Sequence, residues 1–236
     1  MELVIDGSSE SNHAALSQQG RIAVQATWRS AQNHTTELLP TINWLMQRAR
    51  VEVSALTAIV VGTGPGSFNG LRVAMSTAKG LAFSLGIPLV GVSSLEAEAY
   101  AFAWTGMPLC PIRRAGRDRI AAALYRRDGE RWLCLEREHL TTLEQLRTSP
   151  ERTTFICGDT AVELADELRD AMGPHTTIAC GSAGSQPASL AALGWDRLCR
   201  GQTDDPATLQ PLYLRPPHIT KPRERTPRSG VAKAES

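Results

Sequence analysis

The residues with the clearest chemical potential lie between Gly62 and Arg72, where Gly-Thr-Gly-Pro-Gly-Ser-Phe-Asn-Gly-Leu-Arg joins an apolar run to a helical stretch through four glycines. Glycines allow positive φ and close backbone approach, and a helix start offers unpaired N–H groups to an anion. The spacing limits which anion. A Walker A loop ends Gly-Lys-Ser/Thr, whereas this one ends Gly70-Leu71-Arg72. The set Gly64, Gly66, Gly70 is one residue longer than a dinucleotide fingerprint, with Glu96 standing where a ribose acid would be sought. Other chemistries lack their residues. The histidines His13, His34, His139, His175 and His218 form no i,i+4 pair and no H-E-x-x-H, and Ser67 is not in a G-x-S-x-G elbow. Cys110, Cys134, Cys157, Cys180 and Cys199 are odd in number, have no C-x-x-C spacing and read as reduced thiols. No catalytic or metal-binding set is read from the chain.

The elements that position this loop follow a pattern. Strands are expected at residues 3–5, 14–17 and 22–28, with turn residues between them. A helix follows from 35 to 50, with Leu38, Ile42, Leu45 and Ala49 on one face and Pro40 in its first turns. Then come a strand at 56–61, a helix to Leu85 stopped by Gly86 and Pro88, a strand at 87–92 and a helix at 95–104. The second half repeats the order, with strands near 109–112, 119–125 and 132–136, a helix at 143–147, a strand at 154–157, a helix at 162–172, a strand at 176–179 and a helix at 188–200. Two successive βββαβαβα units predict an α/β chain of two tandem ribonuclease H-like lobes, the actin-like ATPase architecture shared with hexokinase and Hsp70.

The helix after the glycine loop is unusual. Gly70, Ala74, Ala78 and Ala82 form a row of small residues at four-residue spacing, while Leu71, Met75, Leu81, Phe83 and Leu85 spread apolar bulk around the rest. Such a helix needs cover on more than one side, from a neighbouring helix of its own lobe or from another subunit.

The run Gly64-Pro-Gly-Ser-Phe-Asn-Gly-Leu-Arg72 resembles the Gly-Pro-Gly-Ser-Phe-Thr-Gly-Leu-Arg signature of the TsaB (YeaZ) family, and Thr77–Leu81 and Gly86–Ser93 continue the likeness. His34-Thr-Thr-Glu-Leu-Leu-Pro40 is similar to that family's His-Ser-Glu-x-Leu-Leu-Pro, Ile5–Ser8 to its opening Ile-Asp-Thr-Ser, and Tyr213–Arg215 to its closing Tyr-Leu-Arg. The resemblance implies an accessory subunit, without complete catalytic machinery, in bacterial synthesis of threonylcarbamoyladenosine in tRNA. It pairs with the catalytic paralogue TsaD, works with the ATPase TsaE, forms a homodimer when alone and meets tRNA through the complex. The family's pairing surface lies on two helices. It is expected here to include His34, Glu37, Leu38, Ile42 and Leu45 from the first, and Gly70, Leu71, Ala74, Met75, Ala78, Lys79 and Ala82 from the second.

Departures from the family pattern are Asn69 and Gly7, each in place of a Thr, and Arg114 in place of the acid leading an Asp-Ala-Arg-Arg-Gly run. Asp6-Gly7-Ser8-Ser9 also resembles the first phosphate loop of the wider superfamily, where an acid helps to place metal. The alternative function is therefore a weak ATPase-like enzyme that holds ATP or ADP with magnesium through Asp6, Ser8, Gly64, Gly66 and Ser67. A strand end with ordinary turn residues is the plainer account of the same segment.

The domains expected are 1–104 for the first lobe, with the docking helices, 105–215 for the second, and a disordered basic tail at 216–236. From Lys221 the tail has five cations against two acids. The whole chain is balanced, with 25 Lys and Arg against 24 Asp and Glu, so nothing draws it globally to nucleic acid or anionic membrane. Hydrophobic residues make up 42%, enough for a core, and neither a basic leader nor a long uncharged apolar run is read. The expected compartment is the cytoplasm.

Overall fold

The first strand is apolar on both faces, so it must lie between two layers. In the computed structural model, which describes residues 1–30, 34–116, 118–147, 154–172, 176–179 and 186–214, it does. The tail at 216–236 and Cys180 lie outside the described residues. Strand β1 (Glu2–Asp6) is the middle of a five-stranded sheet ordered β3-β2-β1-β4-β5. On one side β2 (Ser11–Gln18) pairs antiparallel with β1 and β3 (Arg21–Arg29) antiparallel with β2, while on the other β4 (Ala58–Gly62) runs parallel to β1 and β5 (Leu89–Val92) parallel to β4. Helices α1 (His34–Ala49) and α2 (Phe68–Leu85) cross one face, where Leu3, Ile5, Ile59 and Val61 meet Leu38, Leu45, Ala74 and Ala78. The helix α3 (Ser94–Tyr100) then leads to the second half.

The second half repeats this topology strand for strand. β6 (Leu109–Arg114) pairs antiparallel with β7 (Ile120–Asp128), which pairs with β8 (Arg131–Thr141), and β9 (Phe155–Cys157) and β10 (Thr177–Ile178) are added in parallel. The order β10-β9-β6-β7-β8 is the first sheet's order again. Helices α4 (Leu143–Arg147), α5 (Asp159–Glu163) and α6 (Ala165–Met172) bring Leu146, Ala161 and Leu168 onto one face, and α3 brings Leu95 and Ala99 onto the other. The expected helix at 162–172 is therefore two, interrupted at Leu164.

The last helix does not stay with the second sheet. α7 (Gln186–Cys199) returns to the first, where Leu190, Ala191 and Leu193 cover Val4, Ala15, Val60, Val90 and Val92. The strap after it follows the edge of β5, with a bridge between Leu89 and Asp204 and the Leu212 amide donating to the Thr63 carbonyl at 2.8 Å. A stretch within the range 105–215 thus completes the first layer, because β1, β4 and β5 bury apolar side chains on both faces and need two covers. Cys110, Cys134, Cys157 and Cys199 are free thiols. Among the described residues, no helix is long and apolar enough to cross a membrane.

Candidate functional site

Two places gather functional side chains: the cleft between the lobes and the outer face of α1 and α2. The cleft has a volume of about 940 Å³ and mixed charge, with Glu10, Asp159 and Glu163 facing it beside Arg29 and Arg114. Its floor is formed by the loop after β1, the glycine loop after β4, and side chains from α3 and β6.

The residues expected to grip phosphate are brought together here, but they bind one another. Asp6 is 1% exposed. Its carboxylate accepts from the Ser8 amide and hydroxyl, both at 3.0 Å, and from the Ser94 hydroxyl at 3.4 Å. The Ser67 amide donates to the Ser8 carbonyl at 2.7 Å, the Gly64 amide to the Ser94 hydroxyl at 3.2 Å, and the Gly70 amide to the Ser67 hydroxyl, which caps α2, at 3.4 Å. A Cβ on Gly66 would lie 1.9 Å from the Ser8 carbonyl oxygen, so glycine there serves loop-to-loop contact. At Gly7 a Cβ would meet the Gly70 carbonyl oxygen at 2.5 Å, so this chain does not hold the family's Thr without a shift.

The residue that closes the floor is Arg113, the neighbour of the Arg114 that stands in the family's acid position. From the second lobe its Nη1 donates to the Ser8 carbonyl at 3.2 Å and to the Pro65 carbonyl at 2.8 Å. Its Nη2 pairs with the Glu98 carboxylate on α3. One guanidinium thus ties both first-lobe loops to α3. Arg114 stands at the rim of the cleft, half-exposed and 3.6 Å from Glu163, and its backbone amide donates to the Thr160 hydroxyl. Glu96 is engaged within the chain: its carboxylate pairs with Arg197 of α7 at 2.5 Å and accepts from the Trp132 indole at 3.2 Å. No group of three or more His, Cys, Asp or Glu suited to a metal occurs among the described residues.

Burial dominates the electrostatics of this floor. It pushes the Glu98 carboxyl up against the pull of Arg113, and the Glu96 carboxyl up against that of Arg197. Burial alone would lower Arg113, but the surrounding Glu98, Asp6 and Asp159 outweigh it and hold the guanidinium charged. The second Glu98 oxygen has no hydrogen-bond partner among the described residues. A carboxyl raised on folding binds its proton more tightly in the native state, so these two groups favour folding as pH falls from neutral towards 4.5 and oppose it as pH rises through their folded values. His13 acts oppositely: burial lowers its ring below 6.5, so its contribution is lost as pH falls below that value. Glu98→Gln, a constant neutral side chain, isolates one contribution. Its stability difference from the parent in urea titrations should favour the variant more at pH 7 than at pH 5; equal differences would show that Glu98 is not shifted.

The second place is the helical face, where the expected pairing surface needs correction. Leu38, Ile42, Leu45, Leu71, Ala74, Met75, Ala78 and Ala82 are at most 5% exposed, and Gly70 is buried in the first turn of α2. They lie in the chain's own core because the small-residue row lets α2 press onto β1 and β4. Glu37 accepts from the Trp28 indole at 3.1 Å, and Lys79 donates to the Leu209 carbonyl of the strap at 3.0 Å, so both have partners within the chain. His34 opens α1, and its side chain lies outside those described.

What the two helices present outward is a different set. Leu39 and Trp44 on α1 are 54% and 48% exposed, and Phe83 on α2 is 83% exposed. Ser76, Gly80 and Ser84 form a second small-residue row at four-residue spacing, also exposed. A Cβ on Gly80 would have nothing within 4 Å. The outer faces of both helices belong to one surface, since both pack on the same side of the sheet. At the start of α2, Phe68 packs against Tyr213 with ring centroids 5.3 Å apart, and Arg72 lies over Phe68 at 5.2 Å.

Residues 28–167 match the family model of TsaD, tRNA N6-adenosine threonylcarbamoyltransferase. The chain is 28% identical to the tRNA threonylcarbamoyladenosine biosynthesis protein TsaB of Bacillus subtilis over 218 residues, 90% of this chain and 93% of that one. With the protein of the same name from Escherichia coli it shares 31% identity over 128 residues, 54% of this chain and 51% of that one. The solved structure of YeaZ from Pseudomonas aeruginosa superposes with a TM-score of 0.77 over 90% of this chain and 99% of that one; at 24% identity, this likeness bears on the fold.

Proposed function

From the premise that the chain belongs to the TsaD threonylcarbamoyltransferase family, in its TsaB (YeaZ) branch, we propose that it is the non-catalytic partner of TsaD in forming threonylcarbamoyladenosine in tRNA. The observation that carries this is the outer face of α1 and α2. Leu39 and Trp44 on α1 and Phe83 on α2 stand in water, and α2 also carries an exposed row, Ser76–Gly80–Ser84, small enough to admit another helix closely. A functional contact of about 1,200–2,000 Å² is within the reach of two helices from each partner. The same face would pair with itself about a two-fold axis when TsaD is absent, and TsaE would join the heteromeric complex. The working compartment is the cytoplasm.

The second reading, a weak ATPase, is disfavoured at the cleft floor. Asp6 is turned into hydrogen bonds with Ser8 and Ser94, and the Arg113 guanidinium links the two loops that would have to admit phosphate. Co-purification with tagged TsaD tests the first reading, and calorimetry of the isolated chain with ATP and magnesium tests the second. The expected result is a stable TsaD complex with no micromolar nucleotide binding. Failure to co-purify, with ATP turnover sensitive to Asp6→Ala, would reverse the assignment.

A further inference from the structure

The two lobes are joined through α3, and the two sides of that helix differ in kind. Its first turn belongs to the first lobe, where the Ser94 hydroxyl accepts from the Gly64 amide at 3.2 Å and the Ser94 amide donates to the Gly64 carbonyl at 2.8 Å. Its body packs on the second sheet through Leu95 and Ala99. Glu96 and Glu98, two positions apart, leave opposite sides of the helix. On the side away from the cleft, Glu96 holds Arg197 and the Trp132 indole. Trp132 packs on the core of each sheet, meets Tyr100 of α3 edge-on at 5.2 Å and stacks on Tyr125 at 5.6 Å. That side is a packed pivot. On the cleft side Glu98 holds Arg113, whose guanidinium reaches on to the Ser8 and Pro65 carbonyls of the first lobe. The two loops thus present acceptors to the cleft floor, and the chain supplies the cation that they take.

We infer that Arg113 is an interlobe latch, holding the second lobe at one angle about the α3–Trp132 pivot through its bonds to Ser8 and Pro65, with no ligand needed in the cleft. The contact lies across the cleft floor from the pivot, so rotation that opens the cleft must break it. Arginine suits the task because its planar fork of donors serves two carbonyls and a carboxylate at once and stays charged. Each lobe has its own core, one built on Leu3, Ile5 and Ile59 and the other on Ile112, Ile156 and Leu168, so release should change the angle and leave both folds. The inference is independent of the docking reading, since α1 and α2 pack on the first sheet.

The test measures the angle directly. Spin labels are placed at Arg29→Cys and Glu163→Cys, exposed positions on the two rims of the cleft, with Cys134→Ser, Cys180→Ser and Cys199→Ser removing other thiols. The labelled parent should give one narrow distance by pulsed electron resonance, unchanged by ATP and magnesium. The double variant Arg113→Met, Glu98→Met removes the latch without leaving a buried charge unpaired. It should keep the parent's circular dichroism, while the mean distance lengthens by more than about 2 Å and the distribution broadens. If that variant does not fold, Arg113→Lys takes its place, because it keeps the charge beside Glu98 but lacks the fork that reaches both carbonyls. Failure of both to fold would make Arg113 part of the core and overturn the latch. So would a distance in the folded variant equal to the parent's, a broad distribution in the parent, or a shift of the parent on adding nucleotide.

Discussion

Ala78→Arg should yield no folded chain. Ala78 is 0% exposed, in the row by which α2 presses on the first sheet, with Leu3, Ile5, Ile59 and Val61 in the same core. An arginine there has neither space for its stem nor a partner for its charge, and overpacking and an unpaired buried cation both disfavour the fold. The combined cost exceeds about 4–5 kcal/mol, a large part of the roughly 5–15 kcal/mol that holds a domain together. Circular dichroism and solubility of the purified variant provide the check. A folded Ala78→Arg chain would mean that α2 can rotate on the sheet and that the small row is not committed to the interior.

Gly80→Arg, two residues further along the same helix, should do the opposite. An added Cβ meets nothing within 4 Å, and the position is exposed. Replacing an exposed helical glycine by arginine favours the helix by about 0.8–1 kcal/mol, so thermal stability should rise slightly. Docking should be lost, because a long side chain replaces the gap into which a partner helix fits. Loss of a central contact of about 2 kcal/mol or more corresponds to roughly 30-fold in affinity for TsaD. Phe83→Ser should weaken binding similarly with little change in melting temperature, since the ring is 83% exposed and has little packing to lose. Sedimentation and pull-down against TsaD measure both. Two stable variants that bind as the parent does would move the docking face elsewhere.

This contrast marks the limit of what the residues disclose. The repeated βββαβαβα order was legible because strand runs and helical spacings are local, and both sheets have the predicted topology. Which of two small rows on α2 faces inward is not local. Gly70–Ala74–Ala78–Ala82 and Ser76–Gly80–Ser84 have the same spacing, and Phe83, an apolar residue on the outward side, blurs the polarity that would separate them. The hydroxyls of Ser76 and Ser84 were the available signal, since a buried hydroxyl needs a hydrogen-bond partner. Arg113 was hidden for a similar reason. Two adjacent arginines on a strand point to opposite faces, and only the register of β6 against α3, with Glu98 fifteen positions earlier, decides which is inside.

The return of α7 to the first sheet bears on how the chain matures during synthesis. One face of that sheet closes early, because α1 and α2 follow their strands directly. The other, with Val4, Ala15, Val60, Val90 and Val92, has only Ala97 and Tyr100 of α3 beside it until Leu190, Ala191 and Leu193 leave the ribosome. Between Val92 and Gln186 lie roughly ninety residues, which at about 5–20 residues per second is about 5–20 s of exposed apolar sheet. The early half therefore waits, sticky on one side, for a helix encoded near the end of the message. Its survival until then depends on chaperone occupancy and on the pace of translation as well as on its own contacts.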